Sequence, residues 1–244
     1  LLGFGLRPVL LSAVGRDREG DELLDACAAL GIETTHIRRV SDLPTDRYMA
    51  VENADGLIAA IADAHTLETA GTDILAPLSD GSIGAAGHIY EGVIALDGNL
   101  TSSLLSDIAG NTMFSKADLR IAPASPGKAD RLAPFLSQGQ GTIYANLEEA
   151  RLLCGCDPAG AAEAAEALLS CGAHRAVVTN GALTAADGTR QSIVTGLPPR
   201  VEVARVPGAG DMCMAAHIFA EVTGAGRDEA LARALEAAAT YIAG

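Results

Sequence analysis

The amino-acid sequence predicts a layered α/β protein with a mainly parallel central sheet, and three observations carry that expectation. Short apolar runs closed by Gly, Asp or Asn alternate with helical segments along most of the chain, as βαβ units require. The apolar share of 49% rests on Ala, Leu, Val and Ile, with no Trp, which suits helices packed closely on a sheet. At 244 residues the chain is long enough to bury a sizeable core, and one main domain spanning residues 1–244 with a small appendage is expected.

Pro8 to Gly15, PVLLSAVG, is a continuous apolar run ended by Gly and reads as a strand covered on both faces. In DREGDELLDACAALG, Leu23, Leu24, Cys27 and Leu30 recur at helical spacing, with Gly31 placed to cap the carboxyl end. RYMAVENADGLIAAIAD carries two β-like runs around Asp55 and Gly56, a hairpin signal that makes residues 44–64 an antiparallel insert. The alternation then resumes with GVIALDGN as a strand, a helix from Thr101, the strand DLRIAPAS and a helix over GKADRLAPFL. It continues with GTIYAN, helices over LEEARLL and AAEAAEALL, the strand HRAVVTNG and a second hairpin in LTAADGTRQSIVTG. In such a sheet ligands bind beyond the carboxyl ends of the strands, so Asp97, Asn146 and Thr179 fall where chemistry gathers.

A net charge of −14 without a Lys/Arg cluster excludes nucleic acid as a partner and favours a small molecule. No apolar run reaches the roughly 20 residues that cross a bilayer, and the opening LLGFGLRP lacks the order of a secretory signal. Five cysteines without CxxC spacing argue against a disulfide framework or a zinc site, so a reducing cytoplasm is the expected location.

VPGAGDMCMAAHIFAEV, residues 206–222, sets two glycines and an aspartate ahead of a helix. A dinucleotide fingerprint needs a third small residue where Cys213 stands, and it belongs to a first βα unit. Two readings remain. Asp211 caps the helix, or the N–H groups of Ala209, Gly210 and Asp211 form an anion hole with Asp211 as a neighbouring base. Asn146 and Glu149 likewise read either as a capping box or as ligand-facing residues, and both can hold at once. Met212, Cys213 and Met214 read as packing residues.

NLEEA, with Asn146 and Glu149, resembles the N-x-x-E motif of the ribokinase-like (PfkB) carbohydrate kinases, and VPGAGD resembles their GAGD signature. VVTNG resembles the strand and turn that meet the nucleotide phosphates, the order of the motifs agrees, and the likeness runs through essentially the whole chain. LLSAVGRDREGDELL, AIADAHTLE, GVIALDGNLT and SPGKADRL are most similar to the pseudouridine kinase branch.

The resemblance implies a three-layer ribokinase-like α/β fold with a small antiparallel β lid at 44–64, a lid that in the family often forms a dimer surface. It implies ATP-dependent phosphorylation of a sugar or nucleoside hydroxyl, pseudouridine to pseudouridine 5′-phosphate before others, with Mg2+ and a monovalent cation such as K+. Asp211 is then the catalytic base and Gly208, Ala209 and Gly210 the anion hole. Asn146 and Glu149 place Mg2+ and the phosphates through water, Thr179 and Gly181 meet the nucleotide, and Asp97, Asn99 and Asp63 hold the acceptor. Another PfkB kinase, ribokinase- or fructokinase-like, and a non-catalytic nucleoside- or sugar-binding homologue stay open as alternatives. Measured against the family pattern, an amino-terminal strand with a sugar-gripping glycine pair and a carboxy-terminal continuation are expected outside this sequence, Pro207 replaces Thr before GAGD, and Thr184 and Ala216 replace Gly.

Overall fold

The computed structural model describes residues 1–53, 56–84, 86–205 and 207–244. In chain order the elements are β1 (Ala13–Gly15), α1 (Arg18–Ala29), β2 (Arg38–Val40), β3 (Tyr48–Asn53), β4 (Gly56–Ala62), α2 (His65–Ala70), α3 (Ala76–Ser79), β5 (Val93–Asp97) and α4 (Ser102–Gly110). They continue with β6 (Asp118–Ala122), α5 (Ala133–Gln138), β7 (Thr142–Asn146), α6 (Leu147–Cys154), α7 (Ala161–Ser170), β8 (Arg175–Asn180), β9 (Leu183–Thr189), β10 (Ile193–Gly196), α8 (Ala209–Val222) and α9 (Arg227–Ala243).

Six strands form the main sheet in the order β10-β9-β8-β7-β6-β5. β5 to β8 are parallel, and the β9–β10 hairpin adds two antiparallel strands. Period-two alternation divides the strand side chains between two helical layers. Ile121, Ile143, Ala176 and Val178 pack with Leu105 and Ile108 of α4, Phe135 of α5, Ala150 of α6 and Leu168 of α7. The intervening Tyr144, Val177 and Ala185 face Cys213, Met214 and Ile218 of α8 and Leu231 and Leu235 of α9. This is the expected three-layer arrangement, and Cys213 and Met214 are packing residues as read. β1 and β2 form a separate parallel pair, and β3 and β4 a separate antiparallel ribbon. Of the hairpin signal, Gly56 opens β4 and Asp55 lies outside the described residues.

Three expectations differ from what is observed. The strand expected over Pro8–Gly15 is confined to Ala13–Gly15, because only its carboxyl end is covered, while Val9 and Leu10 are exposed and Val9 makes one isolated bridge to Glu33. The apolar stripe of α1 is half open, with Leu30 at 68% exposure, although Asp17 caps the helix through the Gly20 N–H at 2.8 Å and Gly31 ends it with φ 82°. The segment GKADRLAPFL does not form one helix: residues 126–132 coil as a 3-10 helix and α5 starts at Ala133, because the ring of Pro134 cannot follow an uninterrupted α-helical turn. The short helices α2 and α3 have no counterpart in the expected pattern. Asp46 caps α2 from outside it, accepting the Thr66 and Leu67 N–H groups at 2.8 and 3.0 Å and so fixing the base of the β3–β4 ribbon.

Candidate active site

The parallel register sets the carboxyl ends of β5 to β8 along one edge, and α8 begins against the same edge. Gly208 precedes α8 with φ 89°, and a Cβ there would stand 2.7 Å from the Tyr241 hydroxyl, so glycine is required both by conformation and by space. Among the described residues no side chain caps this helix, and its first intrahelical bond runs from the Met212 N–H to the Gly208 carbonyl at 2.9 Å. The N–H groups of Ala209, Gly210 and Asp211 therefore lie ahead of the hydrogen-bonded helix, at the positive end of its dipole. Around Gly210 a Cβ would meet nothing within 4 Å, which leaves this backbone open to a ligand. Asp211 is the third helical residue, not the residue before the helix, so the simple capping reading does not describe it.

Three carboxyl groups share this edge. Although Asp211 keeps access to solvent, partial desolvation by the surrounding edge pushes its carboxyl above its ordinary value, and the charge of Asp97 adds to the shift. Glu149 is likewise raised, by burial first, against the opposing hydrogen bond from Asn146, with Glu148 and Asp211 adding repulsion. Among the described residues none of Asp97, Glu149 and Asp211 has a cationic partner at ion-pair distance. An added cation would relieve that repulsion, and carboxylate oxygens are the donors a hard divalent ion takes. Among the described residues no three His, Cys, Asp or Glu side chains converge as a direct metal cage.

Asn146 and Glu149 form a complete capping box at α6. The Asn146 N–H donates to Glu149 Oε2 at 2.8 Å, and the Glu149 N–H donates to Asn146 Oδ1 at 2.9 Å. The box fixes a nearly buried carboxyl at the end of β7, so capping and site geometry coincide. Asn146 pairs in register with Thr179 of β8, which sets the two motif residues side by side. Gly181 follows at φ 56° in the β8–β9 turn, with open space where a Cβ would be.

On the other side Asp97 closes β5. Its carboxylate accepts the Asn99 N–H at 2.8 Å and the Asn99 side-chain amide at 3.3 Å, while Lys128 Nζ donates to Asn99 Oδ1 at 2.7 Å. Arg131 Nη1 reaches the carbonyls of Asn99 and Leu100 at 3.2 and 3.1 Å and Glu68 Oε1 at 3.1 Å, pinning the loop that presents Asp97. Neither Lys128 nor Arg131 stands out in the sequence reading. The available signal was the pair of basic residues three apart in GKADRL, directly after a strand that ends at the edge. Asp63 follows β4, and its carboxylate accepts from the ring and the N–H of His65, which lowers its pKa.

The model of the pfkB family carbohydrate kinases matches residues 2–243. The uncharacterized sugar kinase YeiI of Escherichia coli K12 is 29% identical over 147 residues, covering 60% of this chain and 38% of that protein. The chain thus spans well under half the length of that curated relative. Among solved structures, a carbohydrate kinase from Agrobacterium tumefaciens superposes with a TM-score of 0.75 at 27% identity, over 93% of this chain and 71% of the other. An E. coli structure described as a ribokinase II in complex with ATP and Mg2+ gives 0.77 at 16% identity, over 99% and 78%, a likeness of fold.

Proposed function

We propose that this chain, which belongs to the pfkB family of carbohydrate kinases, transfers the γ-phosphoryl group of ATP to a hydroxyl of a sugar or nucleoside. The observation that carries this reading is the pairing of open helix N–H donors at Ala209, Gly210 and Asp211 with a carboxyl whose proton affinity is raised on the same turn. Asp211 takes the proton of the acceptor hydroxyl as the new O–P bond forms, and the bond between the γ-phosphorus and the β–γ bridging oxygen breaks to release ADP. The three N–H groups and the helix dipole stabilise the charge spread over the transferring oxygens. A bound Mg2+ supplies charge neutralisation on the phosphates. Asn146 and the Glu149 carboxyl hold its water shell in this reading, and Thr179 and Gly181 line the nucleotide side.

For the acceptor we propose pseudouridine, phosphorylated on its 5′-hydroxyl. Support comes from the sequence likeness around Asp63, Asp97 and SPGKADRL, and from Asp97 and Asn99, held by Lys128 and Arg131, as hydrogen-bonding groups for ribose hydroxyls. The β3–β4 ribbon is proposed as the lid that excludes water from the transfer. Its exposed Tyr48, Met49, Val51 and Ile61 suit a surface covered by a second copy of the chain. Cytoplasmic action belongs to the same proposal, and no helix among the described residues is long and apolar enough to cross a membrane.

The test is ADP formation with Mg-ATP and, separately, pseudouridine, uridine, ribose and fructose, with the phosphorylated product identified by mass spectrometry. Selective turnover of pseudouridine supports both kinase and acceptor. Turnover of another sugar keeps the kinase and rejects the acceptor. Acceptor-induced thermal stabilisation without ADP points instead to a binding homologue.

A further inference from the structure

The 3-10 coil of residues 126–132 aligns two basic side chains. In such a helix residues three apart stand one above the other, so Lys128 and Arg131 share one face while Ala129 and Leu132, both fully buried, share the face that is packed in the core. Both basic groups reach the loop between β5 and α4. Lys128 Nζ donates to Asn99 Oδ1 at 2.7 Å, and Arg131 Nη1 donates to the Asn99 and Leu100 carbonyls at 3.2 and 3.1 Å and lies 3.4 Å from that of Gly98. The loop has little room to adjust: the Gly98 N–H donates to the Ala122 carbonyl at 3.0 Å, a Cβ on Gly98 would stand 3.0 Å from the Ala124 nitrogen, and Leu100 is buried.

Arg131 also reaches a second element. The same Nη1 donates to Glu68 Oε1 at 3.1 Å, and Glu68 belongs to α2, the helix that follows the β3–β4 ribbon. α2 is tied to both strands of that ribbon. Asp46, two residues ahead of β3, accepts the Thr66 and Leu67 N–H groups, and the Thr66 hydroxyl donates to the Pro44 carbonyl at 2.6 Å. Just past β4, the Asp63 N–H donates to the Arg47 carbonyl at 2.8 Å. One guanidinium thus joins the base of the ribbon to the loop that carries Asp97 and Asn99. The side chains of Arg131 and Glu68 are 25% and 34% exposed, so removing either leaves no sealed, unpaired charge and the pair adds little to global stability. Its effect lies in holding two segments in a fixed relation.

We propose that Arg131 is a positioning residue that couples the β3–β4 ribbon to the acceptor loop at 97–100, so that the base of the ribbon and the groups that meet the acceptor are ordered together. The role rests on the phosphoryl-transfer reading, in which the ribbon closes over an acceptor held by Asp97 and Asn99. Arg131 touches no reacting atom. Without it, part of the acceptor's binding energy is spent on ordering loop and ribbon, so the acceptor is held less tightly, while the nucleotide side at β7, β8 and α8 keeps its own contacts.

The test compares Arg131→Met, Glu68→Ala and the double variant with the parent chain by amide hydrogen exchange, thermal midpoint and the KM values for ATP and for pseudouridine, or for whichever of uridine, ribose and fructose the parent chain turns over. Arg131→Met is expected to speed exchange of the Gly98 and Asn99 amides and of the Thr66 and Leu67 amides alike. It raises the acceptor KM about tenfold, leaves the ATP KM within about twofold and moves the midpoint by no more than about 3 °C. Glu68→Ala speeds the Thr66 and Leu67 amides and raises the acceptor KM about threefold, and the double variant is no worse than Arg131→Met, because both changes break one bridge. A lowered midpoint with an unchanged acceptor KM, faster exchange confined to the loop, or additive losses in the double variant would each overturn the coupling. If the parent chain forms no ADP with any of the four acceptors, the transfer reading fails and the exchange comparison alone decides the coupling.

Discussion

The two ends of α8 carry acids in opposite circumstances. Asp211, in the first turn, has its pKa pushed up by partial desolvation and by Asp97, with no cation beside it among the described residues. Glu221, in the last turn, has its pKa held down: burial alone would raise it, but hydrogen bonds from Arg175 and Arg120 outweigh that cost. Around Glu221 the pairing is dense. Arg175 forks onto Asp187 at 2.8 and 2.5 Å and reaches Glu221 at 2.7 Å, Arg120 binds Asp118, Glu221 and the Tyr144 hydroxyl, and His217 Nδ1 meets that hydroxyl at 2.8 Å. One end of the helix is satisfied by the protein and anchors it to the sheet. The other end leaves donors and a costly carboxyl to be satisfied by something else, which is how a binding edge differs from a structural one.

Breaking the open end has the largest expected effect. Asp211→Asn removes the proposed base and lowers ADP formation by about 10²–10⁴-fold. Because a raised pKa means that the charged carboxyl is disfavoured in the fold, the same change leaves the thermal midpoint unchanged or higher. Breaking the satisfied end does the reverse. Arg175→Met removes the forked partner of the fully buried Asp187 and leaves it the longer Arg227 contacts at 3.4 Å, for about 3 kcal/mol and a fall in midpoint on the order of 10 °C. The turnover of the folded fraction should change little, because no atom of the proposed chemistry is touched.

Between these extremes lies Gly208→Ala. The new Cβ meets the Tyr241 hydroxyl at 2.7 Å and forces φ 89° on a residue with a side chain, for about 1–3 kcal/mol and a displaced first turn. Pairing it with Tyr241→Phe should recover part of the stability, since the contact is relieved and the backbone strain is not. Full recovery would show that the glycine serves space alone.

The open end was far more legible in the sequence than the satisfied one. Gly208, Gly210 and Asp211 lie within four residues, and Asn146 and Glu149 within one turn, so local spacing exposes them. The ion network joins β6, β7, β8, β9 and α8, and Arg120 and Glu221, which bond directly, are 101 residues apart. Its one local trace was charge in the wrong place, Arg120 within DLRIA and Asp187 within AADGT, at positions that a sheet covered on both faces must bury. The alternation of strands and helices was readable because parallel strands are continuous apolar runs. α2 and α3 were not, since six and four residues punctuated by Gly71 and Pro77 leave no periodicity to detect.

The contrast between the two ends is tested most directly by the pH dependence of kcat/KM for ADP formation, overlaid on the ¹³C NMR titration of the Asp211 carboxyl. Protonated Asp211 cannot accept the acceptor's proton, so activity should fall as pH drops through its folded pKa. The account predicts that both curves share a midpoint above the ordinary aspartate value of about 3.9 and that Asp97→Asn moves both downward together. An Asp211 that titrates at or below the ordinary value, or an acidic limb that stays in place while the carboxyl titration moves, would contradict it.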